Sequence, residues 1–364
     1  MNSKMNKNKT VAIAMSGGVD SSVAAALLLK QGYKVIGITM RLWVDENIKD
    51  NYDQASLPEE DAAKVADILG IEHHVIDFRE YFKKSVVEYF VNEYKAGRTP
   101  NPCVFCNKKV KFGVLYEKAR ELGADYLATG HYARVSEDVH GFKRIAMARF
   151  INKDQSYVLF HLGQEILMHV LFPLGEYNKE QVRELAKEFN LPVFAKKDSQ
   201  EICFIPDNNH HRFLNSQYKE KEGSIIDAKG KVLGRHHGIS HYTIGQRKGL
   251  GIAAATPLYV LKIDSEKNLI VLGDADEALK DLMIVNDVVF SDDLPLTERK
   301  EVKVKIRYNA MPVSAHIEPG DFPGQVKVLF SKPQRGVAPG QSAVFYEDDY
   351  CVGGGTIVSS TKSR

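Results

Sequence analysis

Two groups of residues in this sequence could do chemistry. The first is the run Ser16-Gly17-Gly18-Val19-Asp20-Ser21-Ser22, which follows a short apolar segment. Paired glycines let a ligand approach the backbone closely. The helix start that follows would offer unpaired N–H groups and a positive dipole end, both favourable to an anion. The string lacks the lysine of a GxxxxGK[ST] loop. Asp20 is the odd member, because a carboxylate repels phosphate unless a cation lies between. Mg²⁺ carried by a pyrophosphate would resolve that conflict.

The second group is made of cysteines. Cys103 and Cys106 form a C-x-x-C in "TPNPCVFCNKKVKFG", and Cys203 lies in "KKDSQEICFIP". The prolines predict an extended segment with a helix starting near Asn107. A thiol at that helix N-terminus, beside Lys108 and Lys109, should have a lowered pKa. Thiolates here could carry sulfur as a persulfide, form a transient disulfide, or ligate a metal or cluster. A structural zinc would need a further ligand, for which His73 and His74 or His210 and His211 are the candidates. Cys351, just before Gly353-Gly354-Gly355, reads as a buried small hydrophobe. Trp43 reads as a packing residue.

These groups need elements to hold them. "VAIAM" and "KVIGITM" are short and almost wholly apolar, as parallel strands buried on both faces should be. "SSVAAALLLKQG" predicts a helix starting near Ser21 or Ser22, with Gly32 as its C′ residue. "PEEDAAKVADILG", "REYFKKSVVEYFVNEYKAG" and "NKKVKFGVLYEKARELG" predict further helices. "EHHVIDF" and "ADYLATGHY" predict further strands. This alternation argues for an α/β fold, a doubly wound parallel sheet with its ligand at the strand C-terminal ends. "NKEQVRELAKEFN" is a later helix, with Asn178 and Gln181 in capping-box spacing. After Pro206 the texture becomes short β-type runs. We expect a catalytic domain over 1–206, a central β-rich domain over 207–285 and a C-terminal β domain over 286–364. In "EVKVKIRY", Val302, Val304 and Ile306 alternate with Lys303, Lys305 and Arg307, predicting a half-buried strand with a cationic outer face. "HYTIGQRKGLG" reads as a turn-rich surface loop that could close over a bound partner.

With 364 residues, 44% of them hydrophobic and 26% charged, the chain has ample material for conventional cores. Its net charge of +2 neither demands nor excludes nucleic acid. Four cysteines in so long a chain are no disulfide framework. The polar first nine or so residues read as a frayed tail. With no signal-type or membrane-spanning run, a soluble cytoplasmic protein is the expectation.

The string SGGVDSS resembles the signature of the PP-loop ATP pyrophosphatase superfamily, whose members cut ATP to AMP and pyrophosphate while adenylating a carbonyl oxygen. GMP synthetase-like, argininosuccinate synthetase-like and tRNA-thiolating readings stay open at that level. The later strings choose among them. "GRTPNP" followed by "CN", "ATGHYAR", "KDQSYVLF", "KKDSQEICFI", "YTIGQRKGLG" and "VGGGTI", in this order, resemble the tRNA-specific 2-thiouridylase family (the MnmA/TrmU enzymes). The resemblance implies a PP-loop domain (the adenine nucleotide alpha hydrolase-like fold), a small central domain and a C-terminal β-barrel. It implies ATP-dependent 2-thiolation of the wobble uridine in tRNAs for Lys, Glu and Gln, with Mg²⁺, tRNA and a sulfur donor, either a cysteine desulfurase or a sulfur-relay protein, as partners. Carried over by motif, ATP would contact Ala14, Met15, Ser16, Gly17, Gly18, Val19, Asp20, Ser21, Met40 and Gly130. Cys106 would be the nucleophile and Cys203 the persulfide carrier, ending as a Cys106–Cys203 disulfide. Asn101, Pro102 and Cys103 would lie beside the target base. His131, Lys153, Asp154, Gln155, Arg307, Tyr308 and Gln341 would meet tRNA. Several family members carry Asp where this chain has Cys103. The three thiolates Cys103, Cys106 and Cys203 could therefore hold a [4Fe–4S] cluster instead.

Overall fold

The computed structural model describes residues 8–45, 58–196 and 202–362. Most of the expected frayed tail, residues 1–7, and the 197–201 portion of the third-cysteine string lie outside them. The first domain carries strands β1 (Thr10–Ala14), β2 (Lys34–Arg41), β3 (Glu72–Asp77) and β4 (Tyr126–Ala128). The hairpin β5 (Ala133–Glu137) and β6 (Lys143–Met147) leaves for another sheet before β7 (Val170–Leu171) returns. The sheet order is β3-β2-β1-β4-β7, with every neighbouring pair parallel.

Strand β1 anchors this sheet because it is apolar on both faces. Ala12 joins Ile38, Leu115, Leu127 and Tyr157 on one side. Val11 and Ile13 join Val23, Leu27, Val65 and Val182 on the other. Burying a branched side chain of this size contributes about 1.5–3 kcal/mol. The chain runs from β1 outward to β2 and β3, then crosses back to β4 on the opposite side. The C-terminal end of β1 is therefore the topological switch point, where open α/β sheets bind ligands, and Met15–Gly18 lies there. The next helix, Val19–Lys30, is capped by Gly18 rather than by a serine. Ser21 and Ser22 instead donate from their hydroxyls back to the Gly18 carbonyl, at 3.2 and 2.8 Å. Gly32, at φ +87°, follows the C-cap as expected.

The cysteine segment differs from the sequence expectation. Its helix begins at Pro102, not near Asn107. Asn101 is the N-cap, its side chain accepting from the Val104 N–H at 3.2 Å, and Pro102 occupies the first turn. Asn-Pro is itself a helix-start signal, since proline's missing N–H costs nothing at that position. The helix then widens into a π-turn over Asn107–Val114 and resumes as Leu115–Glu121 after an irregular Gly113.

The central domain is the four-stranded sheet of β8 (Gly223–Asp227), β9 (Val232–His236), β10 (Tyr259–Asp264) and β11 (Leu269–Gly273). The last domain comprises β12 (Leu279–Phe290), β13 (Lys300–Lys305), β14 (Val313–Pro319), β15 (Val326–Arg335), β16 (Ser342–Glu347) and β17 (Tyr350–Thr361). Their order, β12-β15-β14-β13-β16-β17, closes through a β12–β17 pairing into a six-stranded barrel. Strand β12 runs across position 285. The start of β17 also pairs with β6, so the first domain's hairpin is stitched to the barrel. Ile145 and Met147 of that hairpin share a core with Val344, Tyr346 and Cys351.

The cationic strand is corrected. Lys303 is exposed, but Lys305 is buried. Its ammonium lies over the rings of Tyr157 and Tyr308, at 5.7 and 5.9 Å. The alternation fails because β13 ends there against the first domain, so an outward position becomes an interface position. Burial holds the Lys305 pKa below the usual lysine value. Arg307 lies beyond the strand end and is exposed.

The helix Lys179–Glu188 carries the expected reciprocal capping box between Asn178 and Gln181. Replacing Asn178 with Ala should lower stability by about 1 kcal/mol in denaturant unfolding. No measurable loss would show that the cap contributes nothing to the fold.

Candidate functional site

At the switch point, Gly17 adopts φ +66°, and a Cβ there would run into the Pro58 carbonyl oxygen. The turn is thus reserved for glycine. The Ser16 N–H donates to the Ser21 hydroxyl at 3.1 Å, which tightens the loop over the helix start. Met15 is fixed by β2 through its N–H to the Ile38 carbonyl, and its own carbonyl accepts from Thr39 Oγ1 at 2.9 Å. Gly130 closes one wall, since a Cβ there would lie 2.8 Å from the Ser21 nitrogen. Ala14 ends β1 and Met40 lies near the end of β2, so the expected nucleotide contacts share one end of the sheet.

Two lysines reach the loop from elsewhere in the chain. Lys179 Nζ contacts both carboxylate oxygens of Asp20, at 2.8 and 2.9 Å. The Tyr132 hydroxyl donates to Asp20 Oδ1 at 2.6 Å. Lys196 Nζ donates to the Gly17 carbonyl at 3.1 Å and pairs with Asp61 at 2.7 Å. A lysine and a tyrosine hydroxyl from elsewhere in the chain therefore answer the charge of Asp20. None of these partners was legible in the sequence, because Lys179 and Tyr132 are remote from the loop along the chain.

The thiols form a second group beside this one. Cys106 is buried, whereas Cys103 and Cys203 keep exposed surface. Each of the three responds to the charge of Lys111, and Cys203 also responds to Cys106 and Cys103. The expected lowering of thiol pKa is overturned. Burial pushes Cys106 up to about 11 and Cys203 up to about 12, and it raises Cys103 as well. Lys111 opposes this without reversing it. Lys108 and Lys109 are exposed and are not among the charges shifting these thiols. In a regular α-helix residue i+5 points about 140° away from residue i. The wider π-turn brings i+5 back over i, which turns Lys111 toward the face of Cys106.

Lys111 also links the thiols to the loop. Its Nζ lies 3.5 Å from His131 Nε2, and His131 Nδ1 lies 2.7 Å from Thr129 Oγ1. With Nε2 facing an ammonium, the imidazole is neutral and Nδ1 carries the proton. Burial, reinforced by Lys111 and His161, holds the His131 pKa well below the usual value. Because Gly130 packs on the loop and His131 meets Lys111, a two-residue bridge joins the two groups.

All four cysteines are free thiols, and the Cys106–Cys203 bridge implied by the resemblance is not formed. Among the described residues no three His, Cys, Asp or Glu side chains are gathered where they could hold a metal ion. A [4Fe–4S] cluster on Cys103, Cys106 and Cys203 therefore has no preformed ligand set here. The zinc alternatives fare no better. His73 is engaged with Thr39 at 2.8 Å, and His211 stacks on His241. Cys351 is buried in the shared core, as expected, and Trp43 packs edge-on against Phe213.

The segment leading to Cys103 is held from several sides. The Thr99 N–H donates to the Pro339 carbonyl at 2.9 Å, and Gln341 Nε2 donates to the Thr99 and Pro100 carbonyls at 2.9 and 3.2 Å. Thr99 Oγ1 donates to Thr243 Oγ1 of the central domain at 3.4 Å. Gln155 exchanges hydrogen bonds with the Tyr132 backbone at 2.9 and 2.8 Å. Tyr308 packs on Tyr157, and its hydroxyl responds to both Gln155 and Cys103. Lys153 and Arg307 are exposed. Asp154, by contrast, is buried and spends its carboxylate on the Ala148 and Ser156 N–H groups and the Ser156 hydroxyl.

His161, beside this group, has no hydrogen-bond partner for either ring nitrogen. Burial, reinforced by the nearby Lys108 charge, lowers its pKa from 6.5 to about 3. A folded pKa below the unfolded one means that unfolding takes up a proton at pH values between the two. Stability from this group is then lost as pH falls through that window. His161→Leu should flatten the pH dependence of unfolding between about pH 6 and pH 4, by about 1.4 kcal/mol per pH unit. An unchanged slope would mean that the imidazole is not held neutral.

Comparison with known proteins agrees with this architecture. Residues 9–207 match a family model described as a tRNA methyl transferase HUP domain. Residues 211–274 match a tRNA methyl transferase PRC-barrel domain, and residues 280–357 match an aminomethyltransferase beta-barrel domain. A tRNA-specific 2-thiouridylase MnmA from Thermoanaerobacter sp. is 50% identical, over 98% of this chain and 100% of that protein. The MnmA of Carboxydothermus hydrogenoformans is 49% identical, over 96% of this chain and 97% of its own length. That of Acetivibrio thermocellus is 48% identical, over 97% and 100%. Identity of this order from end to end, across all three domains, places the chain in the tRNA-specific 2-thiouridylase family.

Proposed function

We propose that this chain is an ATP-dependent tRNA sulfurtransferase that replaces O2 of the wobble uridine in tRNAs for Lys, Glu and Gln with sulfur. The observation that carries this reading is the Gly130–His131 bridge, which sets a phosphate loop beside a group of thiols. Neither half needs the other in a simple hydrolase or a simple thiol protein. An enzyme that adenylates an oxygen and then displaces it with sulfur needs both.

Uridine O2 is a poor leaving group. Its attack on the α-phosphate of ATP releases pyrophosphate and leaves O2 bonded to AMP, a good leaving group. The loop at Ser16–Ser21 would hold the pyrophosphate, with the adenine side near Met40. Mg²⁺ would accompany the triphosphate and share its charge. The terminal sulfur of a persulfide on Cys203, supplied by a donor protein, would bond to C2 as AMP departs. Cys106 would then attack the Cys203 sulfur, releasing thiouridine and leaving a Cys106–Cys203 disulfide for an added thiol to reduce. The raised thiol pKa values suit a resting site that keeps both thiols protonated until the donor arrives.

Recognition of tRNA is assigned to the surface around Cys103. Asn101 and Pro102 would sit against the base. His131, Lys153, Gln155, Arg307, Tyr308 and Gln341 would meet the surrounding RNA, while buried Asp154 would shape the turn that presents Lys153 and Gln155.

Incubation with unmodified tRNA, ATP, Mg²⁺, a thiol reductant and a sulfur donor should yield 2-thiouridine by nucleoside mass spectrometry. Cys106→Ser and Cys203→Ser should each abolish it, and robust thiolation by either variant would refute the assignment. ATP consumption equally fast without tRNA would favour a small-molecule ligase of the same superfamily. For the RNA surface, Arg307→Ala should weaken tRNA binding and reduce the slope of log affinity against log salt by about one. An unchanged slope would remove Arg307 from the phosphate contacts.

A further inference from the structure

We propose that Lys179 is the phosphate-binding lysine of this loop, held by Asp20 at rest and passed to the β- and γ-phosphates when ATP binds. The inference rests on the nucleotide reading of the loop but not on the tRNA reading.

The loop has the N–H groups and helix start that favour an anion, yet it carries a carboxylate in its midst. An unanswered Asp20 would oppose the ligand that the rest of the loop attracts. In the structure it is answered twice, by the Tyr132 hydroxyl and by Lys179 on both oxygens. These two partners differ in reach. Tyr132 is anchored by its backbone pairing with Gln155 and is buried. Lys179 is the first residue of a helix whose start is fixed by the Asn178–Gln181 capping box, so its backbone is set while a long flexible side chain spans to the loop. The Asp20 side chain keeps 34% of its surface exposed, so an arriving ligand can reach the pair.

The charges suit an exchange. At rest, the Lys179 ammonium answers the Asp20 carboxylate. When the triphosphate enters, the ammonium can turn to phosphate oxygens of greater charge density, Tyr132 keeps one hydrogen bond on Asp20, and the cation accompanying ATP can take the vacated place. Lys196 is not the candidate, because it ties the Gly17 carbonyl to the Asp61 carboxylate. That arrangement fixes the loop's shape rather than receiving an anion. The absent P-loop lysine is thereby replaced by one supplied 159 positions away along the chain from Asp20.

The test is equilibrium binding of the full chain to ATP, to pyrophosphate and to AMP, each with Mg²⁺. Lys179→Met should weaken ATP and pyrophosphate at least about tenfold, about 1.4 kcal/mol. AMP, which lacks the outer phosphates, should change by less than about twofold, a loss below about 0.4 kcal/mol. Lys179→Arg, which keeps the charge, should recover most of the ATP affinity. ATP binding within twofold of the parent would overturn the proposal. So would an AMP loss equal to the ATP loss, since that pattern reports a damaged fold. A parent chain that binds none of these ligands would overturn both this inference and the nucleotide reading. A parent that binds ATP but does not thiolate tRNA would count only against the proposed function.

Discussion

The clamp on Thr99 and Pro100 is the constraint on which the rest of the site depends. These residues precede Asn101, whose side chain starts the helix that carries Cys103 and Cys106. Their backbone is held by the barrel through Pro339 and Gln341, and Thr99 is also touched by Thr243 of the central domain. The position of two thiols is thus set by three domains together. Individually such hydrogen bonds contribute about 0.5–1.5 kcal/mol. Their joint effect is geometric, because they converge on two residues and leave the helix start little freedom. Gln341 illustrates the point: its side-chain amide nitrogen donates to two successive carbonyls of this segment.

The electrostatics of the site follow from its dryness. Cys106 and His131 sit where burial favours neutral forms, and one partly buried lysine on a π-turn is their common cation. In such surroundings an introduced negative charge interacts more strongly with Lys111 than it would in water. The same logic applies at the loop, where Asp20 is matched by a lysine rather than left to solvent. The loop half matches a carboxylate with a lysine, the thiol half sets the Lys111 charge among neutral groups, and the two meet at Gly130 and His131.

Much of this could be read from the residues. The apolar strands, the phosphate loop at the end of β1 and the Asn178 cap are local signals, and they appear where periodicity and capping rules place them. Cys351 is as buried as its setting suggested. The misreadings share a cause. Lys305 looked outward by alternation but is covered by Tyr157 of the first domain, with Tyr308 of its own segment beside it. The thiols looked activated by Lys108 and Lys109, but a change in helix pitch turned a different lysine toward them. Lys179 carries no local mark, because its role exists only once the sheet has folded. Local propensity cannot report what another segment will cover or approach. The Asn101–Pro102 helix start was the exception, a local signal that was present and could have been read.

The pairing of β6 with the start of β17 bears on how the molecule can be divided. By sequence the hairpin belongs to the nucleotide domain, yet its hydrogen bonds extend the barrel's sheet. Cutting the chain between the domains would leave unpaired backbone groups on both pieces, and an open strand edge invites pairing with other chains. The barrel is therefore a poor candidate for an independent module, and the first domain alone would expose Ile145 and Met147 to water. The first and last domains are better regarded as one folding unit, in which the final strand of the chain pairs with a hairpin inserted before the last strand of the parallel sheet.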